Sequence, residues 1–475
     1  MNIPSFDDHL PGSHGLHRPR PELPTGRFAR RIRPSQAILP DLMFALNFMT
    51  FITSRGRSPI YSLSGLDDLG LCKMAIRVVS LGYFLALLWS DRVDRGRLRR
   101  MLRHAAPLMA YCMLAAMSVA WSRATAFTLY RVFELLVLVL VAFVHASQRD
   151  PGEMLRPLYL GALALVGTVA ALFVIAPVMV EAEFPKEGYA RLGGVMGAMV
   201  LGEVSCLLTL CSLCLLLSSG RRSAGSKVCL ILSFVVGALV LYGTWSRVPM
   251  VVALVCWAAI GWIAYRSSNR FTHKALAYLI LCAALVFAML MSGHVIDWLA
   301  RGEEASEIAT LNNRVNIWGA ALRHQPVSRW VVGNGFAAIS GDIGIWVPEM
   351  GRATMTSHNA LLDVWLGLGL AGCLCLCITV WGHCRDLLAL RGLLAPPGLA
   401  AAVAITLFAL LASVTEMGIG GYVGPVLVAF LFVYARLSAL ACRSPVSMKG
   451  AAHGSHDFRR RDGLQRADVP FPSHR

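Results

Sequence analysis

The chain has 475 residues, of which 56% are apolar and 15% are charged, and its formal net charge at pH 7 is +17. Its mean hydropathy of +0.60 is well above that of soluble globular chains. Composition therefore excludes a soluble globular domain and predicts an integral membrane protein.

Stretches of about 17 to 25 apolar residues, the length of a helix that crosses a bilayer, recur along the chain. They predict about 12 spans, near residues 36–53, 69–90, 105–121, 126–146, 157–180, 194–217, 228–244, 248–264, 275–292, 358–380, 398–415 and 419–440. The fold class predicted from this pattern is an all-α integral membrane protein, with one polytopic membrane domain over 36–440.

The distribution of lysine and arginine predicts the orientation of these spans. With the N-terminus inside, the cytoplasmic segments carry 29 of the 44 basic residues and the outer segments carry 11. This bias predicts an even number of spans with both termini cytoplasmic. It also leaves one large outer loop, 293–356 between spans nine and ten, with a helical signal in "NNRVNIWGAALRH".

The two ends of the chain differ in composition from the region between them. Residues 1–35 and 441–475 are polar and basic, and both are predicted to be disordered cytoplasmic tails. The N-terminal segment is too polar for the hydrophobic part of a cleavable signal peptide. Basic clusters such as "DRVDRGRLRRMLRH" flank predicted spans, where anionic lipid attracts them by about 1 kcal/mol per residue. Membrane lipids are therefore expected partners, and nucleic acid is not.

Cysteines and acidic residues indicate neither a disulfide framework nor a metal site. All 13 cysteines lie in predicted spans or inner segments, so no disulfides are expected on the outer side. No outer cluster has the spacing of metal ligands. We expect no metal and no cofactor.

The stretch "TMTSHNALLDVW" places a histidine where the tenth span begins. Ser357 is predicted to cap this helix, which would put His358 in the first turn, where exposed amides favour an anion. Asp363 is five residues further and rotated by roughly 140°, so it is not expected to orient the imidazole. Gly369 and Gly372 are predicted to allow close packing between helices. Position alone leaves open that His358 is an interfacial residue without a chemical role.

Three arginines lie on the predicted outer side. They are Arg191 in "GYARLGGVMG", Arg247 in "GTWSRVPMV" and Arg314 in "NNRVNIW". A guanidinium binds phosphate through two parallel hydrogen bonds and keeps its charge, so together they could form a phosphate site. The residues themselves leave their convergence open. Arg131 and Glu134, one turn apart in the fourth span, could simply neutralise one another.

The motif that begins at the histidine carries a resemblance to a known family. His358-Asn359, nine residues, and then Gly369-Leu370-Ala371-Gly372 resembles the H-N-x9-G-x-x-G pattern of the O-antigen ligase and polysaccharide polymerase family. The order of "AWSRATAFTLYR", "RLGGVMG", "WSR" and "NNRVNIWGAAL…VVGNGF" along the chain is similar too. The resemblance covers roughly 36–440 and leaves both tails out.

The resemblance implies a metal-independent glycosyltransferase of the GT-C type at the periplasmic face of the bacterial inner membrane. Its donor would be a glycan linked to undecaprenyl diphosphate. The implied roles are His358 as general base or acceptor-positioning residue, Arg191, Arg247 and Arg314 as diphosphate ligands, and Ser357, Asn359 and Arg131 in support. Elementary chemistry agrees, because imidazole accepts protons near neutral pH and fixed arginines stabilise a leaving diphosphate.

Three functions remain open at the level of sequence. The first is a polymerase that joins lipid-linked repeat units into exopolysaccharide or O-antigen. The Leu362-Asp363 step in "HNALLDVW" is closer to that of exopolysaccharide polymerases. Gly367 stands where many family members have glutamate. The second is a ligase that transfers finished glycan to lipid A-core. The third is a twelve-span transporter, which predicts two similar halves that the sequence does not display. For the enzymes, expected partners are the lipid-linked glycan, an acceptor glycan or lipid A-core, and polysaccharide export and chain-length proteins.

Overall fold

The structure, a computed structural model, describes a set of segments that together form an α-helical protein. The described residues are 34–51, 68–90, 93–148, 155–177, 181–182, 191–193, 196–218, 223–267, 274, 313–340, 344–354, 356–416, 418–421 and 423–443. The predicted tails and the predicted ninth span, 275–292, lie outside them, apart from the few residues at 34–35 and 441–443.

The α-helices of the described residues are α1 (Pro34–Leu46), α2 (Asp68–Trp89), α3 (Arg95–His104), α4 (Ala106–Met117), α5 (Thr125–Gln148), α6 (Arg156–Ile175), α7 (Ala198–Leu217), α8 (Ala224–Gly243), α9 (Arg247–Ser267), α10 (Arg314–His324), α11 (Ala360–Leu390), α12 (Pro396–Thr415) and α13 (Pro425–Ala441). Two short antiparallel hairpins accompany them. β1 (Glu181–Ala182) pairs with β2 (Arg191–Leu192), and β3 (Ile345–Val347) pairs with β4 (Arg352–Thr354).

Among the described residues, 8 helices are long and apolar enough to cross a membrane, or 9 if one bent pair forms a single span. The protein is thus an all-α, multi-pass membrane protein, as composition predicts. The predicted spans that each coincide with one of the 8 helices are 69–90, 126–146, 157–180, 194–217, 228–244, 248–264, 358–380 and 398–415. The predicted spans 36–53 and 419–440 correspond to shorter apolar helices, so a total of twelve remains a prediction.

The predicted span 105–121 forms only one arm of the bent pair. The helix before it, α3, is bent by 82° from it and runs in a different direction. Asp94 caps α3 by accepting a hydrogen bond of 2.8 Å from the Arg97 amide. Leu98, Met101 and Arg97 are buried, whereas Arg95, Arg99, Arg100 and Arg103 are exposed. This amphipathic pattern is that of a helix lying along a membrane surface.

The helix predicted in the long loop exists as α10, but its buried face is not the one on which Val315, Trp318 and Leu322 recur at helical spacing. Ile317, Ala320 and Ala321 are buried in a small cluster with the β3–β4 hairpin. Val315 and Leu322 are 46% and 57% exposed. The apolar spacing therefore identifies the helix correctly, while packing on the hairpin decides which face is buried.

The tenth predicted span, α11, is a broken helix. Gly369 has φ of 66° and ψ of −165°, which interrupts the helical hydrogen bonds. A segment of the predicted outer loop, Trp330–Gly335, is bound at this break and is here named the docked segment. Its backbone bonds to α11 are Asn334 N to Leu366 O (3.0 Å), Gly335 N to Gly367 O (2.8 Å), Leu370 N to Trp330 O (2.8 Å) and Ala371 N to Val331 O (3.2 Å). These bonds replace those that the break removes, as a polar backbone in a membrane protein requires.

Glycine is needed where the two backbones meet. A Cβ on Gly333 would lie 2.2 Å from the carbonyl oxygen of Gly367, and a Cβ on Gly369 would lie 2.2 Å from the carbonyl oxygen of Val331. The prediction that Gly369 serves packing between helices is therefore wrong, because it faces the docked segment. At 1.5 Å per residue, the contact lies about 9 to 17 Å along α11 from its start. Part of the predicted outer loop thus lies beside the span.

Replacing Gly369 with alanine is expected to destabilise the protein strongly. The left-handed backbone costs a residue with a Cβ about 1–2 kcal/mol, and the clash with the docked segment adds about 1–3 kcal/mol. Gly382→Ala is the matched control, since it lies on the same helix with nothing within 4 Å of the added carbon. The measurement is the unfolding midpoint of each purified variant. Equal midpoints for the two variants would contradict the docked arrangement.

Candidate functional site

His358 lies immediately before α11 and not within it. The side chain of Asn359 caps the helix by accepting a hydrogen bond of 3.0 Å from the Leu362 amide. The prediction that Ser357 is the cap is therefore wrong. Ser357 is buried instead, and its hydroxyl donates to the carbonyl oxygen of Asn359 at 3.0 Å. Both residues thus hold the turn that presents the histidine.

The backbone at His358 is strained, and its neighbours hold it in place. Its φ of 53° lies in the left-handed region, which few residues other than glycine adopt. The His358 amide donates to the Thr356 hydroxyl at 3.1 Å. Asp363 accepts hydrogen bonds from the Ser357 amide at 2.9 Å and from the Thr356 hydroxyl at 3.1 Å. As predicted, Asp363 does not orient the imidazole; it binds the turn around it.

The carboxylate that does contact the imidazole is Glu416, at the end of α12. Nδ1 of His358 lies 3.2 Å from Oε2 of Glu416. The Glu416 side chain is 2% exposed and that of His358 is 30% exposed. A neutral histidine that donates from Nδ1 keeps Nε2 as a proton acceptor. The arrangement therefore orients a base whose ring still reaches solvent.

Arg314 binds the other oxygen of the same carboxylate. Its Nη2 lies 2.6 Å from Oε1 of Glu416, and its Nη1 donates to the carbonyl oxygen of Thr415. Glu416 thus joins the predicted base to one of the three predicted phosphate ligands. Arg314, Glu416 and His358 are here named the Glu416 cluster.

Sequence reasoning missed Glu416, although a signal existed. It ends an apolar span in "LLASVTEMG", and ionisable residues at such positions are expensive and usually functional. What the sequence lacks is any sign of its partner, because 58 residues separate Glu416 from His358. The return of the chain through α11 and α12 brings the two together.

Arg191 and Arg247 share one turn between α8 and α9. The Arg191 guanidinium donates to the carbonyl oxygens of Thr244 at 3.1 Å and Trp245 at 3.2 Å, two residues before Arg247 begins α9. Residues 244–247 are here named the arginine turn. Beside it lies the start of α7, where a Cβ on Gly202 would be 3.3 Å from Cβ of Ser246.

A buried carboxylate follows the residue of α7 that contacts the arginine turn. Glu203 follows Gly202 on α7 and is 6% exposed. The start of α7 therefore contacts the arginine turn, and the convergence of Arg191 and Arg247 on His358 remains a prediction.

Backbone strain occurs next to several of the predicted site residues. The described residues other than glycine with positive φ are Trp245, Asn313, Ala337 and His358. Trp245 lies in the arginine turn, and Asn313 directly precedes Arg314. Such conformations cost about 1–3 kcal/mol each and cluster at functional sites, where the surrounding structure enforces them. The strain at His358, in the arginine turn and just before Arg314 therefore marks these positions as candidates for function.

Arg131 belongs to a separate buried network. Its Nη1 lies 2.7 Å from Oε2 of Glu134, and the other oxygen of Glu134 accepts a bond of 3.1 Å from the Tyr130 hydroxyl. Nε of Arg77 lies 3.8 Å from the same carboxylate. Arg131 and Glu134 thus neutralise one another, and a supporting role for Arg131 in the site remains a prediction.

The docked segment also binds the residues just before α5. The Trp121 indole donates to the carbonyl oxygen of Val332 at 3.1 Å, and the Arg123 amide donates to that of Asn334 at 3.0 Å. The segments "AWSR", "VVGNGF" and the glycines of α11, far apart in sequence, therefore meet in space.

Comparison with models of protein families finds no match for this chain, and comparison with curated proteins finds no significant match. Among the described residues, no group of three or more His, Cys, Asp or Glu side chains could hold a metal ion. The class of protein defined by fold and composition is a multi-pass, α-helical membrane protein.

Proposed function

We propose that the protein polymerises oligosaccharide repeat units linked to undecaprenyl diphosphate, at the periplasmic face of the bacterial inner membrane. The observation that carries the proposal is the Glu416 cluster, in which a strained histidine is oriented by a buried carboxylate that an arginine also binds. The proposed fold is of the GT-C type. The resemblance of the histidine motif to polysaccharide polymerases supplies the substrate class.

In the proposed reaction, a hydroxyl of the acceptor glycan attacks the anomeric carbon of the donor. Nε2 of His358 takes the hydroxyl proton as the new carbon–oxygen bond forms. Glu416, which accepts from Nδ1, stabilises the imidazolium that results, as carboxylates do beside catalytic histidines. Asn359 and Ser357 hold the turn in position.

The second half of the reaction concerns the leaving group. The bond between the anomeric carbon and the diphosphate oxygen breaks, and its electron pair remains on undecaprenyl diphosphate. Arg191 and Arg247 at the arginine turn, with Arg314, would stabilise this charge through fixed donors in a region of low dielectric. Arg314 would then connect the two halves, because it also binds Glu416.

An O-antigen ligase would use the same residues with lipid A-core as acceptor, so the identity of the acceptor distinguishes the two enzymes.

A transporter of this kind is expected to have interrupted helices at matching positions of two repeats. The interruption of α11 is instead filled by the docked segment, which favours a static role for this break.

The test uses purified protein in nanodiscs with one lipid-linked oligosaccharide. Growth of the glycan without added lipid A-core supports the polymerase. Transfer that occurs only after lipid A-core is supplied would support the ligase instead of the polymerase. Absence of transfer to either acceptor, with a folded protein and intact donor, would overturn the enzymatic proposal.

Chelation of divalent metal is expected to leave the reaction rate unchanged within about twofold, because arginines stabilise the leaving diphosphate. The measurement is the initial rate of glycan growth with and without excess EDTA. A metal-dependent glycosyltransferase assayed under the same conditions shows that chelation is complete. Loss of activity that Mg²⁺ restores would contradict the role given to the arginines.

A further inference from the structure

Trp318 is an aromatic residue of α10 that contacts the turn carrying His358. Its indole Nε1 donates to the carbonyl oxygen of Ser357 at 2.8 Å. That carbonyl belongs to the peptide bond whose nitrogen is the amide of His358. The indole nitrogen therefore lies one peptide group away from the residue that carries the proposed base.

A second contact fixes which face of α10 is turned toward the site. Arg314 precedes Trp318 by four residues, so the two side chains lie within roughly 40° of each other around the helix axis. Arg314 binds the Glu416 carboxylate at 2.6 Å, and the same carboxylate lies 3.2 Å from the His358 ring. Two hydrogen bonds from one face of α10 thus hold Trp318 beside the turn that presents the imidazole.

The hydrogen bond to Ser357 occupies only one edge of the indole. Trp318 is partly buried, and the face of α10 that packs on the β3–β4 hairpin is formed by other residues, among them Ile317 and Ala321. Nε1 is the single hydrogen-bond donor of an indole. Because that donor is already used, the part of the ring that remains exposed offers a ligand apolar aromatic surface.

The proposed reaction brings a sugar to the same place. The attacking hydroxyl must lie within hydrogen-bond distance of Nε2 of His358, and it is attached to a pyranose ring. One face of a pyranose presents C–H groups, which are weakly positive, and the face of an indole is negative. Stacking of these two faces leaves the hydroxyl groups free at the edge of the sugar, where the base can reach one of them.

We propose that Trp318 is the stacking platform for the acceptor sugar, the pyranose whose hydroxyl attacks the donor. This inference rests on the proposed function. Stacking would hold the acceptor ring beside His358, while the donor sugar lies on the far side of the bond that forms. Sugars that present an unbroken C–H face to the indole would be preferred over those with an axial hydroxyl on that face.

The experiment measures transfer to an acceptor that cannot act as donor. The acceptor is an octyl glycoside of one repeat unit, which has no diphosphate, and the donor is the lipid-linked oligosaccharide in nanodiscs with the purified protein. Trp318→Leu is compared with Trp318→Phe, because both lack the N–H that binds Ser357 and only phenylalanine keeps an aromatic face.

Trp318→Leu is expected to raise the KM for the glycoside about 10-fold, the effect of losing one aromatic stacking contact. Trp318→Phe should raise it only about twofold. Both variants should bind the donor lipid within about twofold of wild type. Trp346→Ala removes an indole that is 56% exposed on β3, and this control should keep the KM of wild type.

Two results would overturn the inference alone. Equal KM values for Trp318→Leu and Trp318→Phe would leave Trp318 only its hydrogen bond to Ser357. Weaker binding of the donor lipid, with an unchanged KM for the glycoside, would place the indole beside the donor sugar. A folded wild type that transfers no glycan, either to the glycoside or to a second lipid-linked oligosaccharide, would overturn the proposed function and this inference with it.

Discussion

Replacing His358 with alanine is expected to reduce glycan transfer by about 10²- to 10⁴-fold, the usual contribution of a general base. The imidazole is the group that Glu416 orients, with Nδ1 3.2 Å from the carboxylate and the ring partly open to solvent. The methyl group of alanine cannot accept the proton of the attacking hydroxyl. The measurement is the rate of glycan growth at saturating donor.

Measuring the affinity for the donor shows whether His358→Ala removes only the base or disrupts the whole binding site. Because the proposed diphosphate ligands are arginines, His358→Ala should bind lipid-linked oligosaccharide within about threefold of wild type. Trp346→Ala is a suitable control, since this side chain is 56% exposed on β3 in the same part of the protein. Wild-type rates in His358→Ala would show that another group removes the proton.

Replacing Glu416 with glutamine is expected to lower the transfer rate by about 100-fold. Glutamine keeps the size of the side chain but removes the charge that stabilises the imidazolium. It also removes the ion pair with Arg314, whose Nη2 lies 2.6 Å from the carboxylate. The change should appear in kcat, with a smaller effect on the KM for the donor.

A double variant tests whether Glu416 acts through the histidine. If it does, His358→Ala combined with Glu416→Gln should be no slower than His358→Ala alone, because groups that act as a unit lose their effect together. Multiplication of the two separate losses would assign Glu416 a role independent of His358. Unfolding midpoints of all three variants close to that of wild type would show that the site, and not the fold, has changed.

Much of the fold follows from local properties of the chain. A membrane-spanning helix is defined by the hydropathy of about 20 consecutive residues, so its existence does not depend on what packs beside it. The helix α10 was also predictable, because apolar residues recur at helical spacing. Its buried face was not predictable, because Ile317 and Ala321 are buried by packing against the β3–β4 hairpin.

The glycines of α11 show where local reasoning stops. Glycine spacing alone suits contact between helices, and Gly369 fits that pattern. The actual partner is a segment from the preceding loop, bound by its backbone to a break in the helix. Glycine is required both where two helices pack closely and where a loop backbone approaches a helix. The presence of glycine therefore does not show which of the two contacts occurs.

The candidate site, like the fold, was predictable from the sequence only in part. The sequence by itself determined a multi-pass membrane protein, a histidine at the beginning of a span and a set of arginines near span ends, because each depends on neighbours along the chain. The tertiary structure alone decided that Asn359 and not Ser357 caps α11, and that Glu416 binds both His358 and Arg314. The physical reason is that a carboxylate and its partners meet through the packing of separate helices, and residues tens of positions apart leave no local pattern that records the contact.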